Sequence, residues 1–316
     1  MTHISSFPAR VACLFLAAAF SSVSLAAQSP DARPSGTILV VRATGEAYAT
    51  LPGDTLRTPL RNGSPVLVGQ VIVTGKNASV MLILSNGATV TVAGDSVMAV
   101  EEFTQQPFAE AFRVSQLSKE PTSSTTRLNL VRGEITADVK KLNKEAGSSF
   151  NVKTPVGVAG IRGTAFRLAF LPSGGGRSSL NLVTLEGEVG MQFPDRPAPM
   201  LVSQGQQLKV DQIRTNPSTG EAKISASEGV AVAEVSASER AAIAQTVKTM
   251  ISDADAVPVA ASLAPSPADN AGAAAKEKAE SESAEQPAPS ADVSRRSLPP
   301  PARFPGWAGN SIRPRS

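Results

Sequence analysis

From residue 36 to residue 223 the hydrophobic positions recur in short runs of β-branched and aliphatic side chains, each closed by Gly, Pro, Asn or Asp. That pattern predicts strands over 37–42, 66–74, 79–85, 88–93, 127–131, 134–140, 164–171, 179–185 and 188–193. Asn86-Gly87, between two of the runs, signals a hairpin whose two turn residues must both accept φ > 0. Residues 80–84 (Val-Met-Leu-Ile-Leu) are apolar at every position, so a strand covered on both faces is expected there. Phe166, Leu168 and Phe170 alternate with Ala165, Arg167 and Ala169, and this alternation predicts a single buried face. The stretch 105–126, with Pro107 and Pro121, interrupts the strands as a loop or insertion. No 3.6-residue period appears before residue 230.

One helix follows. Ser236-Ala237-Ser238-Glu239 forms a capping box ahead of Ile243, Val247, Met250 and Ile251 at helical spacing, with Lys248 near the end. The strands also share a loose echo: Gly45-Glu46, Gly133-Glu134, Gly187-Glu188 and Gly205-Gln206 each lead into an apolar run. Their spacing is irregular, which excludes a strict repeat array and fits successive corners of one β architecture.

The amino end has a different pattern. Arg10 precedes the apolar run 11–20, and Ser24 and Ala26 are small residues two apart before Ala27. This is the layout of a secretory signal peptide over residues 1–26, cut between Ala26 and Ala27. A membrane anchor would need roughly 20 apolar residues. Cys13 does not fit a lipid-attachment motif, because Arg10 stands where such a motif wants a Leu-like residue.

That cleavage changes the chemistry available to the chain. The whole sequence is 41% hydrophobic but only 4% aromatic, with a net charge of +3, and its only Cys (Cys13) and only His (His3) both lie in the removed segment. Disulfides, structural zinc, Ser-His-Asp and Cys-His catalysis each require a residue type that the mature chain lacks. Such a chain must hold together by its core alone.

From Ser252 to Ser316 the composition shifts to 16 Ala and 10 Pro, with seven Val, Ile, Leu or Phe residues. So thin an apolar supply predicts a disordered, Pro-stiffened tail. Arg295, Arg296, Arg303, Arg313 and Arg315 follow the last acidic residue, Asp292, so the basic balance of the chain resides at its end. They either contact an anionic envelope surface or sit on a soluble spacer, the spacer being the favoured reading. The expected organisation is a signal peptide (1–26), a linker (27–35), a β domain (36–223), a helical segment (224–251) and the tail (252–316).

The segment Thr154-Pro155-Val156-Gly157-Val158-Ala159-Gly160-Ile161-Arg162-Gly163-Thr164-Ala165-Phe166 carries the most specific signal. It resembles the signature of the FecR family, T-P-x-[AG]-x-x-[AG]-[VI]-R-G-T-x-F, at every fixed position. Segments 69–75, 79–82, 86–88, 130–133, 183–189 and 204–206 are also similar to that family, so the resemblance spans roughly 36–210. It implies an all-β, twisted, solenoid-like domain in the envelope of a Gram-negative-type bacterium. In the family's regulators, the domain receives a signal from an outer-membrane transporter and relays it through a membrane helix to an anti-sigma segment. This chain departs from those regulators: a cleavable signal stands in place of the cytoplasmic segment, and no second apolar run of spanning length follows.

The motif also has a direct physical reading. Pro155 fixes its own φ and pushes Thr154 into extended backbone. Gly157, Gly160 and Gly163 suit a chain that turns tightly or approaches another strand closely. Thr164 starts the next strand, and Phe166 is a core candidate. Arg162 has two readings. The favoured one is structural, with the guanidinium bonding carbonyls at a corner; the other is an exposed Arg that grips a carboxylate or phosphate of a partner.

Other candidate chemistry is weaker. Gly69 to Lys76 misses the phosphate-loop spacing, and Asn77 replaces its Ser or Thr. Gly174-Gly175-Gly176 reads as a hairpin tip. Glu134 with Asp138, or Glu186 with Glu188, could pair for glycoside cleavage, but the flanking pattern is that of solvated strand edges. No D-x-D-x-D-G calcium loop occurs. The reading reached is a non-enzymatic, periplasmic or secreted binding or sensory module without cofactor, metal or nucleic-acid partner, recognising an envelope protein or polysaccharide. A carbohydrate-active enzyme using two carboxylates and a structural or adhesive wall protein are its rivals.

Overall fold

The computed structural model describes residues 33–215, 222–223 and 230–260. Ala26, Ala27 and the arginines 295, 296, 303, 313 and 315 lie outside the described residues. In chain order the strands begin with β1 (Ile38–Thr44), β2 (Ala47–Thr50), β3 (Thr58–Pro59), β4 (Val71–Thr74), β5 (Ser79–Leu84) and β6 (Thr89–Val92). Then come β7 (Val97–Gln105), β8 (Ser124–Asp138), β9 (Ser149–Thr154), β10 (Gly157–Ile161), β11 (Ala165–Gly174) and β12 (Arg177–Thr184). Finally β13 (Glu188–Gln192), β14 (Met200–Ser203), β15 (Gln206–Thr215), β16 (Ala222–Lys223) and β17 (Val230–Glu234) lead to helix α1 (Ala237–Ala254). The expected all-β class is what the chain adopts.

The strands form two layers. The first runs β3-β2-β4-β7-β8-β9-β10-β13-β14, antiparallel except for the parallel β8–β9 pair. The second runs β1-β5-β6-β8-β11-β12-β15-β17, with β16 also on β15. Strand β8 belongs to both: its first half pairs with β7 and β9, its second half with β6 and β11. One core fills the space between, with Ile72, Met98, Leu130, Phe150 and Val189 from the first layer against Leu82, Ile135, Phe166, Leu168 and Leu208 from the second. Each such side chain, fully removed from water, stabilises the fold by roughly 1.5–3 kcal/mol.

The glycine echo marks the passages between layers. Gly45, Gly133, Gly187 and Gly205 all have positive φ and stand where the chain leaves one layer for the other. Gly133 shows why. At φ +100 it bends β8, and a Cβ there would lie 2.1 Å from Ser96 Oγ. That hydroxyl is needed in place, because it accepts a bond from the Glu134 amide (3.0 Å) and donates one to Gly94 O (3.1 Å). Sequence periodicity split this strand into two; a single strand crossing layers through one glycine accounts for both halves.

Strand β5 is covered on both faces, as its uniform apolarity predicts. Val80, Leu82 and Leu84 enter the main core, while Met81 and Ile83 face a second cluster made by Phe108, Phe112, Val114, Met250, Ala254 and Val259. The interruption 106–123 thus supplies a cover for β5. The β5–β6 hairpin differs from expectation: its loop is Ser85-Asn86-Gly87, closed by Leu84 N→Ala88 O (2.9 Å) and Gly87 N→Leu84 O (2.9 Å), and only Gly87 has positive φ. A three-residue loop needs one left-handed residue where a two-residue loop needs two.

Helix α1 lies on the outward side of the second layer. Ile243 and Val247 pack with Ala165, Val183, Leu185 and Val235, while Met250 and Ala254 join the cluster over β5. Strand β11 is therefore covered on both faces, and the single buried face read from Phe166, Leu168 and Phe170 accounted only for its core side. The helix ends at Ala254, and Val259 pairs with Phe112 (N→O 2.9 Å), so residues 252–260 belong to the packed body although their composition places them with the tail. No helix among the described residues is long and apolar enough to cross a membrane.

Candidate functional site

The Thr154–Phe166 segment forms a tight hairpin and then a corner. Strand β9 ends at Thr154, Pro155 and Val156 make the loop, and β10 returns from Gly157, with Thr154 Oγ1 donating to Gly157 O at 3.0 Å. Proline at the first loop position fixes φ and gives up an amide that the turn does not use. Strand β10 then runs between β9 and β13. Ala159 and Ile161 point into the core, and Phe166, on β11, is fully buried.

The three motif glycines have different reasons to be glycine. A Cβ on Gly157 would sit 2.4 Å from the backbone oxygen of Gln192, so close approach of β13 requires its absence. Gly163 combines φ +92 with the Lys141 Cα 2.8 Å from a built Cβ, and it is the turn that carries the chain from the first layer to the second. Gly160 is unlike both. It sits mid-strand opposite Asn151 and Gly190, and its Cβ would make only ordinary contacts, at 3.6 and 3.7 Å, so neither turn nor close approach explains it. Thr164 is buried, its carbonyl accepts from Val139 N (3.0 Å), and its hydroxyl has no described partner.

Arg162 does not hold the corner together. Its side chain is exposed and makes no hydrogen bond or ion pair with a described residue; the expected carbonyl contacts are absent, and backbone pairing closes the corner instead. It lines a cleft of about 620 Å³ together with Lys119, Lys141, Lys144, Glu120 and Glu145. The four cations are all exposed, and none is ion-paired to a described residue. Glu120 is buried, and both its oxygens are engaged: Ser124 Oγ donates to one (2.7 Å) and the Asn143 amide to the other (2.7 Å). The bonds Glu120 N→Lys141 O (3.0 Å) and Lys141 N→Ser118 O (3.4 Å) fix the two cleft walls together. Buried Asn86 adds a brace from the β5–β6 loop, donating to Ser124 Oγ at 3.1 Å.

Chemically, this is a rigid pocket wall with surplus positive charge. It can attract and orient a carboxylate or phosphate, Arg162 offering a planar fork and the lysines point charges. Sequence reading isolated Arg162 but missed Lys119, Glu120, Lys141 and Lys144. The Lys140-Lys141 pair followed by Lys144 was the available signal, a local excess of cations within an otherwise mildly acidic region.

The carboxylate pairs have other surroundings than expected. Asp138 is buried and bonded to Lys140 Nζ at 2.8 Å, and Glu134 is half-buried beside Arg167 (3.9 Å); neither is a solvated strand edge. Burial pushes the Glu134 carboxyl above its ordinary range, Arg167 opposes the shift, and nearby Glu239 reinforces it. Both residues lie on the outward face of β8, two positions on either side of Thr136. Glu186 and Glu188 flank the Gly187 corner, and their carboxylates make no hydrogen bond or ion pair with a described residue. The phosphate-loop look-alike contains β4 itself, with no helix after it.

The FecR protein family model matches residues 70–190. No curated protein matches the chain. Two crystal structures, at 1.65 and 2.50 Å resolution, of a candidate anti-sigma factor from Parabacteroides distasonis are similar in part, at 15% identity and a TM-score of 0.38. Each similarity covers 55% of this chain and 64% of that protein. The hairpin, corner and cleft described above all involve residues inside the region, 70–190, that is similar to the FecR protein family.

Proposed function

We propose that this chain is an exported, non-enzymatic sensory or binding module of FecR type. In this reading a signal peptide is removed between Ala26 and Ala27 and the mature protein works in the periplasm or outside the cell. It contacts an acidic envelope partner through the Arg162 cleft. One observation carries the reading: at the corner of the family motif, a rigid backbone holds an arginine out into a cationic cleft with no described partner of its own. A guanidinium that served only the fold would be expected to satisfy some of its five donors internally.

The test is retention of the mature protein on envelope extract, comparing wild type with Arg162→Glu. Lost retention at unchanged thermal stability supports the proposal; equal retention overturns it. A parallel turnover screen on envelope polysaccharides addresses the enzyme rival, which requires activity that vanishes in Glu134→Gln.

A further inference from the structure

The outward face of the second layer interleaves polar with apolar side chains where it is buried. One registered row runs Met81, Thr91, Thr136, Arg167, Val183 and Gln207 across β5, β6, β8, β11, β12 and β15. Beside it lie Ile83, Thr89, Asp138 and Ala165 on one side, and Glu134, Ala169, Asn181 and Lys209 on the other. Seven buried side-chain polar atoms among the described residues have no hydrogen-bond partner, and five belong to this face: Thr89 Oγ1, Thr91 Oγ1, Arg167 Nε, Asn181 Oδ1 and Gln207 Oε1. The inward face of the same strands is apolar. A permanently buried surface satisfies its polar groups or lacks them. Threonines, amides and charges opposite an apolar core are instead the pattern of an antiparallel sheet that meets water.

Helix α1 covers part of this face, beside the 106–123 segment, and it is gripped mainly at its ends. Arg167 ion-pairs with Glu239 in the first turn, Arg42 ion-pairs with Asp253 in the last, and Asp255 accepts from the Ser115 amide at 2.9 Å. Between the grips a gap of about 270 Å³ separates Thr91 from Gln245, Thr246 and Thr249. Ile243, Val247 and Met250 form a thin apolar stripe that crosses two small clusters.

We infer that α1 is a displaceable strap, seated in cis in a groove of the second layer that accepts an amphipathic helix with an apolar stripe and a carboxylate near each end. Arg42 and Arg167 are the groove's two charge-reading residues, and the carboxylates they select stand about four helical turns apart. The unpartnered hydroxyl of Thr91, which lines the gap under the helix, is hydrated whenever the strap is out. This groove is independent of the Arg162 cleft.

Hydrogen exchange on the full chain, followed against denaturant, tests the strap. The α1 amides should exchange as one group, about 100-fold or more faster than those of β8 and β11. Exchange of α1 no faster than β8 overturns the inference. Removing an orphan hydroxyl at constant shape, by Thr91→Val, should slow α1 exchange several-fold; no slowing counts against it. A synthetic peptide with the sequence of residues 236–255 tests the groove. It should bind a full-length Glu239→Ala, Asp253→Ala chain about tenfold or more tighter than wild type, and lose that binding when Arg42 and Arg167 are also changed to Glu. Absence of binding to the weakened chain, or binding that survives those two changes, overturns the groove.

Discussion

Glu239 turns its carboxylate onto Arg167, across the face of the sheet, and leaves the amide of Ser236 alone. Only half of the capping box is made: Ser236 Oγ accepts from the Glu239 amide at 3.2 Å, while the glutamate side chain is spent on tertiary structure. The same guanidinium faces Glu134, so one arginine answers two carboxylates under the start of the helix.

Arg167→Ala should therefore cost more than an ordinary surface change. Fully buried pairs lose 3–5 kcal/mol when one partner is removed, and partial exposure here lowers the expectation to about 2 kcal/mol. Urea unfolding measures it; a loss below about 0.5 kcal/mol would show that the two carboxylates are held by something else.

Glu134 gives the fold an unusual pH response. Burial raises its carboxyl pKa in the folded chain, so on acidification the folded form takes up its proton before the unfolded form does. Its contribution to stability is present below the ordinary carboxylate pKa and is lost as pH rises through the raised value. Wild type should gain stability relative to Glu134→Gln as pH falls from neutral toward that range; parallel pH curves for the two would refute this. Asp255 behaves in the opposite sense. Desolvation pushes it up but is outweighed by the Ser115 hydrogen bonds and the charges of Arg113 and Lys140, so its net pKa is lowered. The support it gives persists above the ordinary carboxylate value and fades as pH falls through the lowered one, a loss that Asp255→Asn should abolish.

The two motif glycines that flank Arg162 should separate cleanly. Gly163→Ala places a side chain at φ +92 against Lys141 and should destabilise by at least the roughly 1–3 kcal/mol of backbone strain. Gly160→Ala meets only ordinary contacts and should be neutral or stabilising by up to about 1 kcal/mol. Thermal unfolding of the pair checks this, and equal losses would refute the distinction.

Arg162→Ala should leave stability within about 0.5 kcal/mol, as expected for an exposed side chain without partners. Retention of acidic polymers, measured by affinity electrophoresis at low salt, should fall in the same variant, with the difference shrinking at high salt.

Local pattern made much of this legible. The two-sided apolarity of residues 80–84 foretold the double cover of β5, and the Gly-Glu echo marked layer crossings before any layer could be drawn. Strands β9 and β10 were missed because Pro155 and the glycines read as a turn, yet their neighbours β8 and β13 supply the pairing that weak propensity does not. Strand β7 was hidden by Glu101 and Glu102, which the first layer turns partly outward. Arg162 was misjudged because inward-outward alternation stops at a left-handed corner, and only the course of the next strand decides where such a side chain goes.

Sharing β8 between layers ties their fates. To slide one layer over the other, the chain would have to strip the ladder from one half of that strand while its other half stayed zipped, and Gly133 sits wedged against Ser96 at the join. The two layers therefore melt as one cooperative block, and a tug on either is felt in both.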